Sequence, residues 1–419
     1  MRSKRDECWL VLGSLVSGLA ALTFLAASSR SLGLYQFRQI IQIWTIWALS
    51  AGSLGFSVQQ HVITSAGTYR SVFQALRSQE VLRVTVPLMS GVAVVTTIWR
   101  TEIFGDSSTI WPLLATLIPL GCAATSATRG LWAARRKFRF VAFLSTLENS
   151  LRAVAALVLW LFDAGPGAFA LAILLGFGVV SLAPRPSLSV QEATQPTTRI
   201  YGSAIAGLLA YATLVMSPMI MAVKSANIIE TSSTFILLAL LRTPYQLSLG
   251  LVPKFAADRT LGNDRTGGGS VTSRRVPGSV RHRWAVLLCI VSGIVAVTLG
   301  APVAVQILFG DIVAVSVMQS LLATTTTAIA VVNIVLVVST STARLDRQLI
   351  TIWVFATGLG VAYIVLASAI SLTSMLCTVG AVELGVATGL LFVLRHHRVS
   401  LFVGGTDSTP DRRKWTIAD

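Results

Sequence analysis

About twelve stretches of roughly 20 mostly apolar residues follow one another along this chain, each long enough to cross the ~30 Å hydrocarbon core of a bilayer as a helix. Lipid offers a backbone no hydrogen bonds, so only helices or closed barrels can span it. The runs are continuous instead of alternating in polarity, which selects helices over barrel strands. By hydropathy they cover roughly 9–28, 39–63, 82–99, 110–128, 141–161 and 167–183, then 200–222, 233–252, 284–300, 313–339, 349–370 and 373–394. Composition agrees: charged residues are 12% of the chain, half the globular norm of about 25%.

A formal charge of +16 would suit a nucleic-acid partner, but in such a chain the position of each basic residue decides its meaning. With a cytoplasmic N-terminus, only Arg30, Arg38, Arg100 and Lys224 fall on the outer side, and Arg152 and Arg242 lie inside spans. The rest of the 33 Lys and Arg sit in the tails and the even-numbered connections. That asymmetry places both termini in the cytoplasm. Anionic membrane lipids then account for the basic excess, and no nucleic acid is expected. The first apolar run is long for a secretory signal and Ser28-Ser29-Arg30-Ser31 is a poor cleavage site, so an uncleaved first helix is expected.

Residues 183–199 carry three prolines and a run of Ser and Thr, the composition of an irregular connection. The expected fold is therefore an all-α integral membrane protein of about twelve spans. An N-terminal six-helix bundle (1–183) is followed by a cytoplasmic linker (184–199), a C-terminal six-helix bundle (200–394) and a cytoplasmic tail (395–419). Residues 253–283 form the longest cytoplasmic connection; their Gly267-Gly268-Gly269 lacks the lysine and hydroxyl of a phosphate loop. On the first span Gly13, Ser17 and Ala20 share a face that admits close helix approach. The second carries Gln39, Gln42, Gln59 and Gln60, polar enough to line water or to rest at the interfaces. Val72, Leu76, Val81 and Leu82 alternate with Arg70, Arg77 and Arg83, the pattern of a short helix on the membrane surface. The stretch Arg129 to Phe140 reads as a more basic anchor of the same kind.

Ionisable residues inside spans are functional candidates by default. Arg242 stands near the middle of the eighth span, where insertion alone costs about 2.5–3.5 kcal/mol. Pro244 opens the backbone beside it, and Tyr245 and Gln246 lie one turn on over the same face. Arg242 either pairs with a neighbouring acid or binds an anionic ligand in a solvated cavity. Glu148 and Arg152 stand four residues apart on the fifth span, a spacing that allows an intrahelical ion pair or a pair that a substrate anion breaks. Glu383 in the twelfth span is the other deep acid, either a partner for Arg242 or a site for a coupling cation. The four cysteines sit alone on separate spans, so no metal, disulfide or cofactor is expected.

Two six-helix halves, SRSLGLYQF after the first span, RGLWAARRKFRF before the fifth, RTPYQLSLGLVPK in the eighth and ILFGD before the tenth resemble the MOP superfamily, in its bacterial polysaccharide (O-antigen type) flippase branch. The resemblance spans about residues 9–394; Arg38 departs from it, standing where the family often has Gly. It implies two bundles around a central cationic cavity, which alternate between faces to move undecaprenyl-diphosphate-linked glycans outward across the bacterial cytoplasmic membrane. It also implies a lipid-linked glycan as ligand and polysaccharide-assembly membrane proteins as partners. Arg242, Arg152, Tyr245 and Gln246 would meet the substrate, and Glu148 and Glu383 would serve coupling or charge pairing.

The outer connections are short and poor in acids, so a membrane enzyme is not expected. A cation-coupled multidrug antiporter of the same superfamily is the alternative, but it would favour deep carboxylates for organic cations. Deep arginines suit a diphosphate, which a planar guanidinium grips with two parallel hydrogen bonds.

Overall fold

A computed structural model describes residues 2–65, 69, 71–184, 200–224, 227–241, 280–310, 315–342, 345–367 and 370–397. Among these residues there is no strand, and seven helical runs are long and apolar enough to cross a membrane. The first, Cys8–Thr64, has 57 residues, roughly 85 Å of helix at 1.5 Å per residue and nearly three times what a bilayer needs. It is two spans. Gly33 has φ 63° and ψ 177°, a conformation that glycine alone adopts readily. There the chain reverses, so that Phe24 stacks on Trp44 with ring centroids 5.0 Å apart.

In chain order the helices are α1 (Arg2–Ser50), a π-helical turn (Ala51–Gly55), α2 (Phe56–Thr64), α3 (Val72–Leu76), α4 (Gln79–Ile98), α5 (Arg100–Phe104), α6 (Ile110–Ala134), α7 (Phe138–Leu161) and α8 (Pro166–Leu175), which runs into a 3-10 turn (Gly176–Leu182). After residues 185–199 come α9 (Ile200–Val215), α10 (Ser217–Val223), α11 (Ile228–Leu241), α12 (Val280–Phe309), α13 (Val317–Thr342), α14 (Asp346–Leu366) and α15 (Leu372–His396). Several helices outrun their hydropathy windows because a helix continues past the hydrocarbon into the headgroups. α4 takes in Gln79–Leu82, which leaves only Val72–Leu76 as a short helix before it, with Val72 and Ala75 buried. α12 runs to Phe309, where Gly310 (φ 74°) ends it, so most of ILFGD is the last turn of the ninth span.

The close approach foreseen for α1 occurs against α7. A β-carbon on Gly13 would lie 2.9 Å from Ala142 Cβ, Thr146 donates to the Gly13 carbonyl at 3.2 Å, and Asn149 Nδ2 donates to Ser17 Oγ at 2.6 Å. The largest apolar core joins both parts of the chain: Phe37, Trp44 and Phe169 from the first, Tyr211, Phe235 and Phe309 from the second. Basic side chains on the connections close helix ends by donating to their last carbonyls. Arg30 donates to Leu308 O (3.1 Å) and Ile307 O (2.5 Å), Arg38 to Ile103 O (3.1 Å) and Glu102 O, and Lys224 Nζ to Val365 O (3.1 Å). The Arg30 contact crosses from the first part of the chain to the ninth span.

Candidate functional site

The fifth span holds a closed charge cluster. Arg152 is fully buried, which hydrocarbon tolerates only when every donor is occupied. Its Nη2 donates to Glu148 Oε1 at 2.8 Å, Nη1 to Asn149 Oδ1 at 3.0 Å and Nε to the Ile173 carbonyl at 2.9 Å. The guanidinium lies 4.5 Å from the Trp47 ring centroid and 5.4 Å from that of Phe177, where the ring quadrupoles add attraction for the cation. Space for it depends on Gly176, where a β-carbon would collide with the guanidinium. The i, i+4 spacing thus produces an ion pair held from four further directions.

The sequence reading placed Arg129 in a solvated basic anchor, and the structure corrects this. α6 continues to Ala134 before the chain turns at Arg136 (φ 57°), so Arg129 lies on the helix itself. Arg129 Nη2 is 3.9 Å from Glu148 Oε2 and its nitrogens reach Ser126 and Ser145 Oγ, each at 3.4 Å. Glu148 therefore stands between two arginines, and the trio carries a net positive charge. Sequence spacing could not reveal this third member, because its link to α7 is tertiary.

A second polar cluster surrounds Glu383 on α15, which is 1% exposed. Thr213 Oγ1 of α9 donates to its Oε1 at 2.9 Å and Asn333 Nδ2 of α13 to its Oε2 at 2.7 Å. The same amide also donates to the Glu383 carbonyl at 2.9 Å. Three spans converge on one carboxyl through uncharged donors. Arg242, Tyr245 and Gln246 lie outside the described residues, as does the connection 253–279. Of the candidates named from sequence, the structure brings Glu148 and Arg152 together and places Glu383 in a separate cluster.

A groove of about 740 Å³ runs between α14 and α15, lined by Phe355, Leu359, Gly360, Tyr363, Thr378 and Gly385 among others. Phe355 and Leu359 are 68% and 59% exposed, so it opens to the surface of these helices. Among the described residues no group of three or more His, Cys, Asp or Glu could hold a metal.

The architecture is that of a polytopic all-helical membrane protein, and solved structures share it across nearly the whole chain. The chain is similar to a MATE protein crystallised in complex with MaL6 (TM-score 0.57, 13% identity, covering 94% of this chain and 97% of that one). It is likewise similar to an outward-facing multidrug resistance MATE family transporter of the MOP superfamily (0.58, 14%, 94% and 96%). A third likeness is to a MOP superfamily transporter from Pyrococcus furiosus, described as having a binding pocket of reverse polarity that suggests a different function (0.58, 12%, 95% and 95%). At these identities the likeness establishes the fold. No protein-family model matches the chain, and no curated protein does.

Proposed function

We propose that the chain is a transporter of the MOP superfamily that flips undecaprenyl-diphosphate-linked oligosaccharide precursors across the bacterial cytoplasmic membrane. The halves 1–183 and 200–394 move about a central cavity, with both termini in the cytoplasm. The observation that carries this reading is the state of the deep charges. Both acids buried among the described residues are engaged: Glu148 by Arg129 and Arg152, Glu383 by Thr213 and Asn333. Among the described residues no buried carboxylate is left open to an organic cation, and the sequence puts a further positive charge, Arg242, inside an apolar run. We assign Arg242 the diphosphate contact, with Tyr245 and Gln246 beside it. Arg152, its nitrogens already committed, contributes positive potential, and Glu383 is the ion-coupling group.

The multidrug antiporter remains the second reading, favoured by likeness to a multidrug resistance transporter of this fold. The fold leaves the sign of the pocket open, so the substrate test is decisive. Deleting the protein and measuring lipid-linked oligosaccharides by mass spectrometry should show them accumulating. Unchanged pools together with altered drug-cation efflux would establish the antiporter instead. Within the flippase reading, Arg242→Lys should keep charge but lose the bidentate grip and lower flux, and Arg242→Gln should lower it further. Normal flux through Arg242→Leu would remove the anion site.

A further inference from the structure

The second span carries buried polar groups that the charge clusters leave unused. Gln42 and Thr45 are both 0% exposed, and neither the two amide atoms of Gln42 nor Thr45 Oγ1 has a hydrogen-bond partner. Leaving such groups unpaired in an apolar interior costs about 1–3 kcal/mol each, so their presence asks for a reason beyond packing.

Their position supplies one. Gln42, Thr45, Leu49 and Gly52 recur at i, i+3, i+7 and i+10, one helix face. Gly52 lies against the Tyr211 ring, and a β-carbon on Gly207 would be 3.7 Å from the Ser53 backbone. The second span therefore approaches the seventh closely at Gly52 and Ser53, at one end of this face. Beyond the seventh span's end at Val215, α1 also packs against α10, which begins at Ser217. Ser217 is also 0% exposed, and its Oγ has no partner. Three unpaired, buried neutral groups thus lie on two helices that pack together, α1 from the first half of the chain and α10 from the second.

We propose that Gln42, Thr45 and Ser217 form a subsite for the saccharide of the transported lipid, distinct from the arginine that holds its diphosphate; this rests on the flippase reading. A primary amide offers two donors and an acceptor, and each hydroxyl offers one donor and two acceptor lone pairs. That set matches sugar hydroxyls, which donate and accept together, and it carries no charge that would favour a drug cation or a free phosphate. The π-helical turn at Ala51–Gly55, which begins six residues after Thr45 on the same span, is a feature frequently found at functional sites.

The test uses full-length protein as the sole source of this activity in its cell, with Gln42→Leu, Gln42→Met, Thr45→Val and Ser217→Ala. Removing an unpaired polar atom from an apolar setting should leave membrane abundance at or above the parent, while each loss of a ligand hydrogen bond lowers flux by about fivefold. A diazirine-bearing leucine analogue placed at position 42 should capture a saccharide-bearing lipid on illumination, and the same analogue at Phe355 should capture only phospholipid. Parental flux in all four variants overturns the subsite. So does capture of protein segments or phospholipid alone at position 42. Disappearance of both Gln42 variants from the membrane also overturns it, since the amide would then serve the fold. If deleting the protein leaves lipid-linked pools unchanged, the flippase reading itself has failed; if deletion raises them and the variants behave as the parent, only the subsite has.

Discussion

Arg152 Nη2 and Glu148 Oε1 stand 2.8 Å apart, one helical turn from each other on a membrane-spanning helix, with the arginine wholly buried. The pair supports the folding of α7: without Glu148 the Arg152 cation keeps only neutral partners, and without Arg152 the Glu148 carboxylate keeps only its longer contact to Arg129.

Single replacements should therefore be worse than the double. Arg152→Met or Glu148→Gln should each lower stability by about 3–5 kcal/mol, and the pair together by less. Thermal melting of the three purified variants checks this. Strictly additive losses would show that the two side chains are not energetically coupled.

The guanidinium also fixes what its neighbours can be. Gly176→Ala puts a methyl group into the space of the Arg152 side chain, whereas Gly178, two residues on, has nothing within 4 Å of an added β-carbon. The first change should destabilise by roughly 1–3 kcal/mol and the second by little. Equal melting temperatures for the two variants would contradict the packing described.

On the connection between α5 and α6, Asp106 accepts from Trp111 Nε1 at 2.8 Å and from Ser108 N at 3.0 Å. The Trp111 bond, then that from Ser108, holds its carboxyl below the ordinary value of 3.8. A depressed folded value stabilises above the ordinary one, and the contribution is lost as pH falls through the folded value. Trp111 fluorescence should therefore change at a pH below 3.8 in the parent, and Asp106→Asn should abolish that transition. Persistence of the transition in the asparagine variant would assign it elsewhere.

Arg30 ties the first connection to the end of α12, and Phe37 meets Phe235 edge-on at 6.3 Å. Arg30→Met should loosen this side of the contact between the two parts of the chain. A cysteine placed at Phe235 should then react with an external thiol reagent several-fold faster than in the parent background. Unaltered labelling would mean that the Arg30 contact does not keep that side closed.

Most of the architecture was legible because hydropathy reports the solvent of each segment directly. The turn between the first two spans lies within the stretch the hydropathy left between them, at Gly33. What hydropathy missed were features set by contact between distant segments. Arg129 looked like an interfacial anchor because its neighbours in sequence are basic, yet its helix carries it to Glu148. The π-helical turn left no pattern beyond Gly52 and Gly55, which are common in membrane helices. Glu148 and Arg152 were legible as a pair because their partnership is local, whereas the donors to Glu383 come from residues 170 and 50 positions away.

The caps made by Arg30, Arg38 and Lys224 have a consequence for how this surface can evolve. Each donates its hydrogen bonds to main-chain oxygen, which every amino acid supplies. Residues 307, 308, 102, 103 and 365 can drift without losing the main-chain acceptors of their basic partners, so these hydrogen bonds should leave no covarying pairs among relatives. Because their acceptors do not titrate, acidification of the surrounding medium gives them no carboxylate to lose.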